Sequence, residues 1–170
     1  MTITVVVGNP KAGSRTLRVA EAVAHAIAGT VEAQGELLIV DLADVAGELF
    51  DFESTTVKDL LAEVANSDVV VVASPTYKAT YTGLLKSFFD RYGNDALSKT
   101  TCVPVMTGAA PIHALAPEVH LRPLLVELGA SLPTRGLYVT EQQFDELDGV
   151  IGSWLAAAGP LLVPALSKPR

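Results

Sequence analysis

Short apolar runs alternate along the chain with longer segments in which apolar residues recur at helical spacing. The short runs are rich in Val and Ile, and they predict strands at residues 3–7, 37–42, 68–75, 102–108 and 136–141. The last of these runs contains the fewest apolar residues and predicts an edge strand. The run at 68–75, "DVVVVASP", is the most continuously apolar and predicts a fully buried strand.

The segments between these runs predict helices. The first extends over residues 15–28 and is closed by Gly29, and the second, around 57–65, has Thr56 and Asp59 placed to form a capping box. A third helix, around 84–92, presents a broad apolar face, and a fourth ends at Gly129. A fifth helix is predicted over about 144–162, although its glycines weaken the pattern.

Apolar strands separated by helices are typical of a parallel sheet that is covered on both faces. We therefore predict one α/β domain over residues 1–170, a flavodoxin-like three-layer sandwich whose five-stranded parallel sheet has the order 2-1-3-4-5. The end of the chain at 167–170 is predicted to be a frayed tail.

Composition and charge narrow the classes of function. The chain is 49% hydrophobic and carries a net charge of -7, which suits a globular protein and disfavours a nucleic-acid binder. The single cysteine, Cys102, lies in a predicted strand, where we expect a buried and inert thiol. No leader pattern is present, and no apolar stretch approaches the ~20 residues of a membrane span, so we expect a cytoplasmic protein without a membrane partner.

In an open parallel sheet, ligands bind beyond the carboxyl ends of the strands, where the strand order reverses. The loops at that position follow strands one, three and four. They read "GNPKAGSRT", "SPTYKATYTG" and "TGAAPIH", and all are rich in small and hydroxyl-bearing residues.

The first loop predicts an anion site. Ser14, Arg15 and Thr16 stand at a helix start, where free N–H groups and the helix dipole favour negative charge. Gly8 and Gly13 would let the backbone fold closely around a phosphate. The alternative is that Ser14 merely caps the helix. The loop matches neither nucleotide-binding glycine pattern, so a monophosphate fits better than a pyrophosphate.

The other two loops predict a site for a flat ring. Pro75 stiffens the exit of the central strand, so that Thr76 and Tyr77 would present backbone N–H groups and an aromatic edge to a heterocycle. Thr107 and Gly108 would let the ring approach the backbone closely. The alternatives are ordinary ones: Pro75 as a strand terminator and Tyr77 as a half-buried loop residue.

The sequence pattern lacks the residues expected of an enzyme that catalyses its reaction without a cofactor. The sequence shows no Ser-His-Asp arrangement, no metal-ligand spacing and no pair of catalytic carboxylates. For His113 and His120, the sequence spacing does not place a carboxylate nearby. A phosphate pocket beside a ring pocket therefore indicates that a cofactor carries the chemistry.

Two of these stretches, "GNPKAGSRT" and "SPTYKATYTGLLKSFFD", together resemble the NADPH-dependent FMN reductase family of flavodoxin-like flavoproteins. The likeness continues through "TGAAPIHALAPEVHLRPLL" to about Gly136 and is closest to the reductases of two-component alkanesulfonate-type monooxygenases. It implies that the FMN phosphate is held by Ser14, Arg15 and Thr16. It also implies that the isoalloxazine ring or ribityl chain contacts Pro75, Thr76 and Tyr77 on one side and Thr107 and Gly108 on the other.

The resemblance also implies an activity and partners. Hydride would pass from NADPH or NADH to FMN, and electrons then to a second acceptor such as a partner monooxygenase, a quinone or oxygen. In relatives, the helix after the fourth strand can carry an inserted Tyr or His that affects flavin retention and oligomer contacts. The resemblance implies that His120 is the corresponding residue here. The apolar faces of the helices that contain Leu84 and Leu121 suggest a homodimer or homotetramer built beside the flavin sites.

Two other functions stay open at this point. One is a non-enzymatic electron carrier of the flavodoxin type, and the other is a flavin-free interaction domain with the same fold. The content of aromatic residues, 6%, favours a pocket open to a nicotinamide over one closed by aromatic side chains. Lys11 and Arg18 are candidates for a 2′-phosphate site by charge alone, so NADPH and NADH are not distinguished.

Overall fold

Five parallel strands form one sheet in the order β2-β1-β3-β4-β5, as predicted. The computed structural model describes residues 1–33 and 37–167, so the predicted tail lies outside the described residues except for Ser167. The strands are β1 Ile3–Val7, β2 Leu37–Asp41, β3 Val69–Pro75, β4 Thr101–Gly108 and β5 Leu137–Thr140. The α-helices are α1 Arg15–Thr30, α2 Thr55–Ala65, α3 Gly83–Phe89, α4 Arg122–Glu127 and α5 Leu147–Leu166.

The sheet separates two hydrophobic cores. On one face of the sheet, α1 and α5 cover Val5, Val71 and Val105. On the other face, α2, α3 and α4 cover Val6 and Val72. The five side chains are completely buried. Burial on both faces explains why the strand sequences are continuous apolar runs rather than alternating ones.

Helix boundaries differ from the predictions where tertiary contacts decide them. The capping box expected at Thr56 and Asp59 is wrong: α2 begins after Ser54, whose hydroxyl oxygen accepts a hydrogen bond from the Val57 N–H. The first helix also continues through Gly29 to Thr30, and α5 starts at Leu147, after the 3-10 helix Glu141–Glu146.

The apolar helix faces that suggested a dimer interface are covered within the chain itself. Leu85, Phe88 and Phe89 of α3 and Leu121 and Leu125 around α4 are at most 1% exposed, and all belong to the core on one face of the sheet. These five side chains therefore pack inside the chain and offer no dimer interface themselves, and the oligomeric state stays a prediction. The broad face of α3 is needed because this helix packs against the sheet and against the neighbouring helices at once.

A π-helical segment, Pro117–Leu121, precedes α4 and contains His120, which is exposed. Glu118 fixes this segment to the entry of β5: it accepts hydrogen bonds from Arg122 Nε at 2.7 Å and from the Gly136 N–H at 2.5 Å. Burial opposes ionisation of Glu118, but these bonds outweigh it and lower the pKa of the carboxyl. The fourth helix ends at Glu127, and Gly129, the predicted stop, follows with a φ of +82°.

The last helix, α5, is the longest element and is largely apolar. By length and composition, residues 141–166 would suit a membrane span, which corrects the prediction that no stretch approaches that length. Ile151, Ala158 and Leu162 of α5 are nevertheless buried against α1 and the sheet. Pro160 and Pro164 lie on its exposed side, where water can satisfy the carbonyl groups that the prolines leave unpaired.

Candidate active site at the carboxyl edge of the sheet

A cleft of about 410 Å³ opens where the strand order reverses, between the ends of β1, β3 and β4. Its volume falls within the roughly 300–1,000 Å³ of small-molecule sites. The cleft brings together all eight residues that the sequence singled out: Ser14, Arg15, Thr16, Pro75, Thr76, Tyr77, Thr107 and Gly108.

Ser14 caps α1 and also lines the cleft. Its hydroxyl oxygen accepts a hydrogen bond from the Leu17 N–H at 3.2 Å, and the side chain is 4% exposed. A hydroxyl that accepts in this way can still donate its own proton. The N–H groups in the first turn of a helix have no intrahelical acceptor, so the start of α1 keeps its capacity to bind an anion.

Arg15 lies at the mouth of the cleft between two residues that follow β5. Its Nη2 donates to Glu141 Oε1 at 2.7 Å, and its guanidinium carbon lies 5.1 Å from the centre of the Phe144 ring. The Arg15 side chain is 60% exposed. A guanidinium has five N–H donors, so this single bond leaves donors for a further anion.

Thr16 belongs to the floor of the cleft. Its hydroxyl oxygen is 2.9 Å from that of Thr107 and 3.2 Å from Asn9 Nδ2. Thr16 and Thr107 are 2% and 4% exposed, so these bonds are made away from solvent. The bond between Thr16 and Thr107 joins the first loop to the third, whereas the bond from Asn9 lies within the first loop.

Gly8 is needed for packing rather than for anion binding. A Cβ atom at this position would stand 2.4 Å from the Cβ of Leu85, the residue that α3 presses against the end of β1. The Gly8 carbonyl accepts from the Thr82 hydroxyl at 2.5 Å, and the same hydroxyl caps α3 at Leu85. Gly13, with a φ of +61°, is the glycine whose conformation the loop itself requires.

The second loop contributes side chains instead of the expected backbone N–H groups. The Thr76 N–H donates to the Thr107 carbonyl at 2.7 Å, and the Tyr77 N–H donates to the Thr80 carbonyl at 2.9 Å. Both donors are thus used inside the protein, and the prediction that they face a ligand is wrong. The ring of Tyr77 is half-exposed, whereas the hydroxyl of Thr76 is buried.

The turn that carries Tyr77 is conformationally costly. Tyr77 and Thr80 pair as an antiparallel bridge, and the two residues between them, Lys78 and Ala79, have φ values of 52° and 71°. Both central residues of a two-residue hairpin turn of type I′ need positive φ, which favours Asn and Gly. Non-glycine residues in this conformation are concentrated at functional sites, where surrounding contacts hold them.

Close packing and an unpaired hydroxyl distinguish Gly108 of the third loop and Thr76 of the second. Gly108 has no room for a side chain, because a Cβ would stand 2.0 Å from the hydroxyl oxygen of Tyr138. That hydroxyl donates to the Ala110 carbonyl at 3.0 Å. The buried hydroxyl oxygen of Thr76, which lies 3.4 Å from the same Cβ position, has no hydrogen-bond partner among the described residues. Such an atom usually marks the place of a missing polar partner.

The remaining candidates lie outside this arrangement. His113 and His120 do not line the cleft, whereas Lys11 does, with an exposed side chain. Burial raises the pKa of the Cys102 thiol to about 12, and its complete burial confirms the predicted inert state. Within residues 1–33 and 37–167, no group of His, Cys, Asp and Glu side chains is placed to hold a metal ion.

A second depression, of about 540 Å³, lies at the opposite edge of the sheet. Its charged lining residues are Asp59 and Glu63, and none of the described residues around it is basic. An anionic ligand would be repelled there, and the ends of the strands that meet at this edge are the amino ends. The rule for parallel sheets and the charge therefore both favour the first cleft.

Sequence reasoning missed part of the lining. Asn9, Ala109, Glu141 and Phe144 all line the cleft, and Tyr138 packs beneath it. Asn9 and Ala109 belong to loops that were already singled out. Glu141 and Phe144 follow β5, and since the carboxyl end of every parallel strand reaches the same edge, their position after that strand was the available signal.

The strand order and the position of the cleft define the flavodoxin-like class of α/β proteins. A family model described as NADPH-dependent FMN reductase matches residues 1–145, and the chain belongs to that family. Membership confirms the resemblance that the loop motifs suggested. The family description also names the two cofactors that were expected, FMN and NADPH.

Individual relatives agree with the family. The chain is 33% identical to an FMN reductase (NADPH) of Pseudomonas aeruginosa, over 63% of this chain and 60% of that protein. It is 32% identical to the NADH-dependent FMN reductase SfnF of Pseudomonas fluorescens, over 77% of this chain and 72% of the relative. The matched region thus spans less than two thirds of the first relative's length. A solved structure of an NADH:FMN oxidoreductase (EMOB) in its apo form superposes with a TM-score of 0.83 at 28% identity, covering 99% of this chain and 91% of that one.

Proposed function

We propose that this protein is an NAD(P)H-dependent FMN reductase, in which one flavin-binding domain takes hydride from a nicotinamide and passes electrons to a second acceptor. The observation that carries the proposal is the meeting of all eight predicted flavin residues in one cleft, although they come from loops far apart in the sequence. Family membership supports the same activity.

The residues present fit FMN. One end of the cleft offers the cationic Arg15 and the start of α1, which suit a phosphate. The other end is lined by Thr76, Tyr77 and Gly108, which would border a flat ring system. The buried hydroxyl of Thr76 has no hydrogen-bond partner among the described residues and could pair with a polar edge of that ring. When bound, FMN would supply the atom that accepts hydride, so the protein needs no catalytic acid or base for that step.

Each part of the site has a distinct task in this proposal. Ser14, Arg15 and Thr16 bind the phosphate directly or shape its site, and Pro75, Thr76 and Tyr77 hold one side of the flavin. Thr107 and Gly108 lie on the other side, where Tyr138 supports the loop from below. The ring of Tyr77 is 51% exposed, so the approach to the flavin stays open to a nicotinamide.

The hydride donor in this proposal is either NADPH or NADH, because one relative is named for NADPH and another for NADH. The likeness of the loop motifs to reductases of two-component monooxygenases supports a partner monooxygenase as the second acceptor, with quinones and oxygen as the other candidates. The location we propose is the cytoplasm, in keeping with a single buried cysteine.

The proposed homodimer or homotetramer now depends on a different surface. Ile112, Leu115 and Val119 follow the third loop and are 82%, 69% and 55% exposed. Apolar side chains grouped beside a site are typical of protein interfaces. Light scattering at micromolar concentration tests this point, and a monomer would contradict it.

The experiment that tests the function is NADPH and NADH oxidation by the purified protein, with and without added FMN. A reductase oxidises the nicotinamide in a manner that depends on FMN and saturates with it. Binding of FMN without oxidation of either nicotinamide would instead indicate an electron carrier. If FMN does not bind at all, the flavin-free alternative holds.

A further inference from the structure

A carboxylate lines the cleft beside Arg15, the residue that we assign to the flavin phosphate. Glu141 is the first residue of the 3-10 helix after β5, and its Oε1 accepts the hydrogen bond from Arg15 Nη2 at 2.7 Å. The capping box between Thr140 and Gln143 fixes the backbone at this point, with the Thr140 N–H donating to Gln143 Oε1 at 2.9 Å. Regular local structure therefore fixes the backbone of Glu141, from which the carboxylate reaches Arg15.

The charges that line the cleft are few. Of the described residues around it, Lys11 and Arg15 are cationic and Glu141 is anionic. A phosphate monoester carries a charge of about −1.5 to −2 at neutral pH. The carboxylate thus offsets part of the positive charge available to the phosphate, at the arginine that stands next to the helix start.

We infer that Glu141 competes with the phosphate of FMN for Arg15 and thereby weakens flavin binding, which keeps the flavin exchangeable. This inference rests on the proposed function. When a phosphate binds, Arg15 either leaves the carboxylate or is shared between two anions, and both arrangements raise the free energy of the complex. A flavin held in this way leaves readily after reduction, as a substrate does, whereas a tightly held prosthetic group would stay.

The opposite role for Glu141 is that it orients Arg15 and so strengthens binding. A glutamine at this position separates the two roles, because its amide oxygen still accepts a hydrogen bond from the guanidinium while the negative charge is gone. Competition by charge predicts tighter FMN binding in E141Q. Orientation by the hydrogen bond predicts no gain.

The experiment compares the dissociation constants of FMN and riboflavin by quenching of flavin fluorescence, without any nicotinamide. For E141Q we expect FMN to bind roughly threefold to tenfold more tightly, with riboflavin within about twofold of wild type, because riboflavin lacks the phosphate. The FMN dissociation rate, measured by stopped flow, should fall by a similar factor. E127Q is the matched control: it removes the same charge from an exposed residue at the end of α4.

Several results would overturn the inference. They are unchanged or weaker FMN binding in E141Q, an equal gain for riboflavin, or an equal gain in E127Q. Failure of the proposed function looks different: the wild-type protein would bind neither flavin, or it would bind FMN without oxidising a nicotinamide. In the second case the comparison of E141Q with wild type still tests the competition at Arg15. Glu141 is exposed, so the substitution leaves the cores untouched, and a thermal melt of each variant verifies folding.

Discussion

The hydroxyl oxygens of Thr16 and Thr107 lie 2.9 Å apart, although 91 residues separate them in the sequence. This bond connects the start of α1 with the end of β4 across the floor of the cleft. Both side chains are buried, so water does not compete for the bond. The geometry of the proposed flavin site therefore depends on a contact between two loops as well as on each loop alone.

Substitution of Thr107 by Val should lower the free energy of unfolding by about 1 kcal/mol, the usual contribution of a buried hydrogen bond. Urea denaturation measures this change. The matched control is T134V, because Thr134 is also buried but its hydroxyl has no partner among the described residues. That variant should be neutral or slightly stabilised, and equal losses in the two variants would contradict the assigned role of the Thr107 bond.

The Arg15→Ala variant should weaken FMN binding by about 1.5 kcal/mol, the low end for a hydrogen bond to a charged group. We choose the low end because the Arg15 side chain is 60% exposed and solvent screens its charge. Riboflavin binding should not change, and titration calorimetry with both flavins measures the difference. In K11A, which removes an exposed lysine from the same cleft, the loss should be smaller. Equal losses of FMN and riboflavin affinity in R15A would count against a phosphate site.

Replacing Ala79 with Gly should raise the free energy of unfolding by about 0.5–1 kcal/mol. Glycine relieves a positive φ that costs other residues roughly 1–2 kcal/mol, and this exceeds the roughly 0.4–1 kcal/mol lost through the freer unfolded chain. Ala62→Gly, at an exposed position inside α2, should instead lower stability by about 1 kcal/mol. Thermal melts of the two variants measure both signs, and destabilisation by A79G would show that the turn is not strained.

The pH dependence of stability should report Glu118. Because its pKa is lowered in the folded protein from an ordinary value of 4.5, the carboxylate stabilises the fold above that pH. The contribution is lost as the pH falls through the lower pKa of the folded state. The E118Q variant should therefore be less stable than wild type at pH 7, and the difference should shrink on acidification below about pH 4.5.

Urea denaturation at pH 7, 5 and 3 measures this difference, with E127Q as a control that removes an exposed carboxylate. A gap between E118Q and wild type that stays constant over this range would exclude the assigned pKa shift. An equal pH dependence in E127Q would mean that general charge, rather than the bonds from Arg122 and Gly136, is responsible.

Local patterns in the sequence were enough for the strands and for the three loops of the cleft. The run Val69–Pro75 predicts a buried strand because every residue in it is apolar or small, and parallel order then places its end beside those of β1 and β4. Ser14 is identifiable as a helix cap from its neighbours alone. Such features depend on residues within a turn or two of each other, which is the range that periodicity and capping report.

The tertiary structure decided what those patterns do not contain. The hydrogen-bond partner of Arg15 is 126 residues away in the sequence, and the side chain that excludes a Cβ at Gly8 belongs to α3. The acceptors of the Thr76 and Tyr77 N–H groups follow from strand pairing and from a tight turn. The sequence by itself determined the elements, the edge of the sheet where the cleft lies and the residue types that line it. Which polar groups are already satisfied, and which carboxylate meets Arg15, depended on contacts that only the packed chain brings within hydrogen-bonding distance.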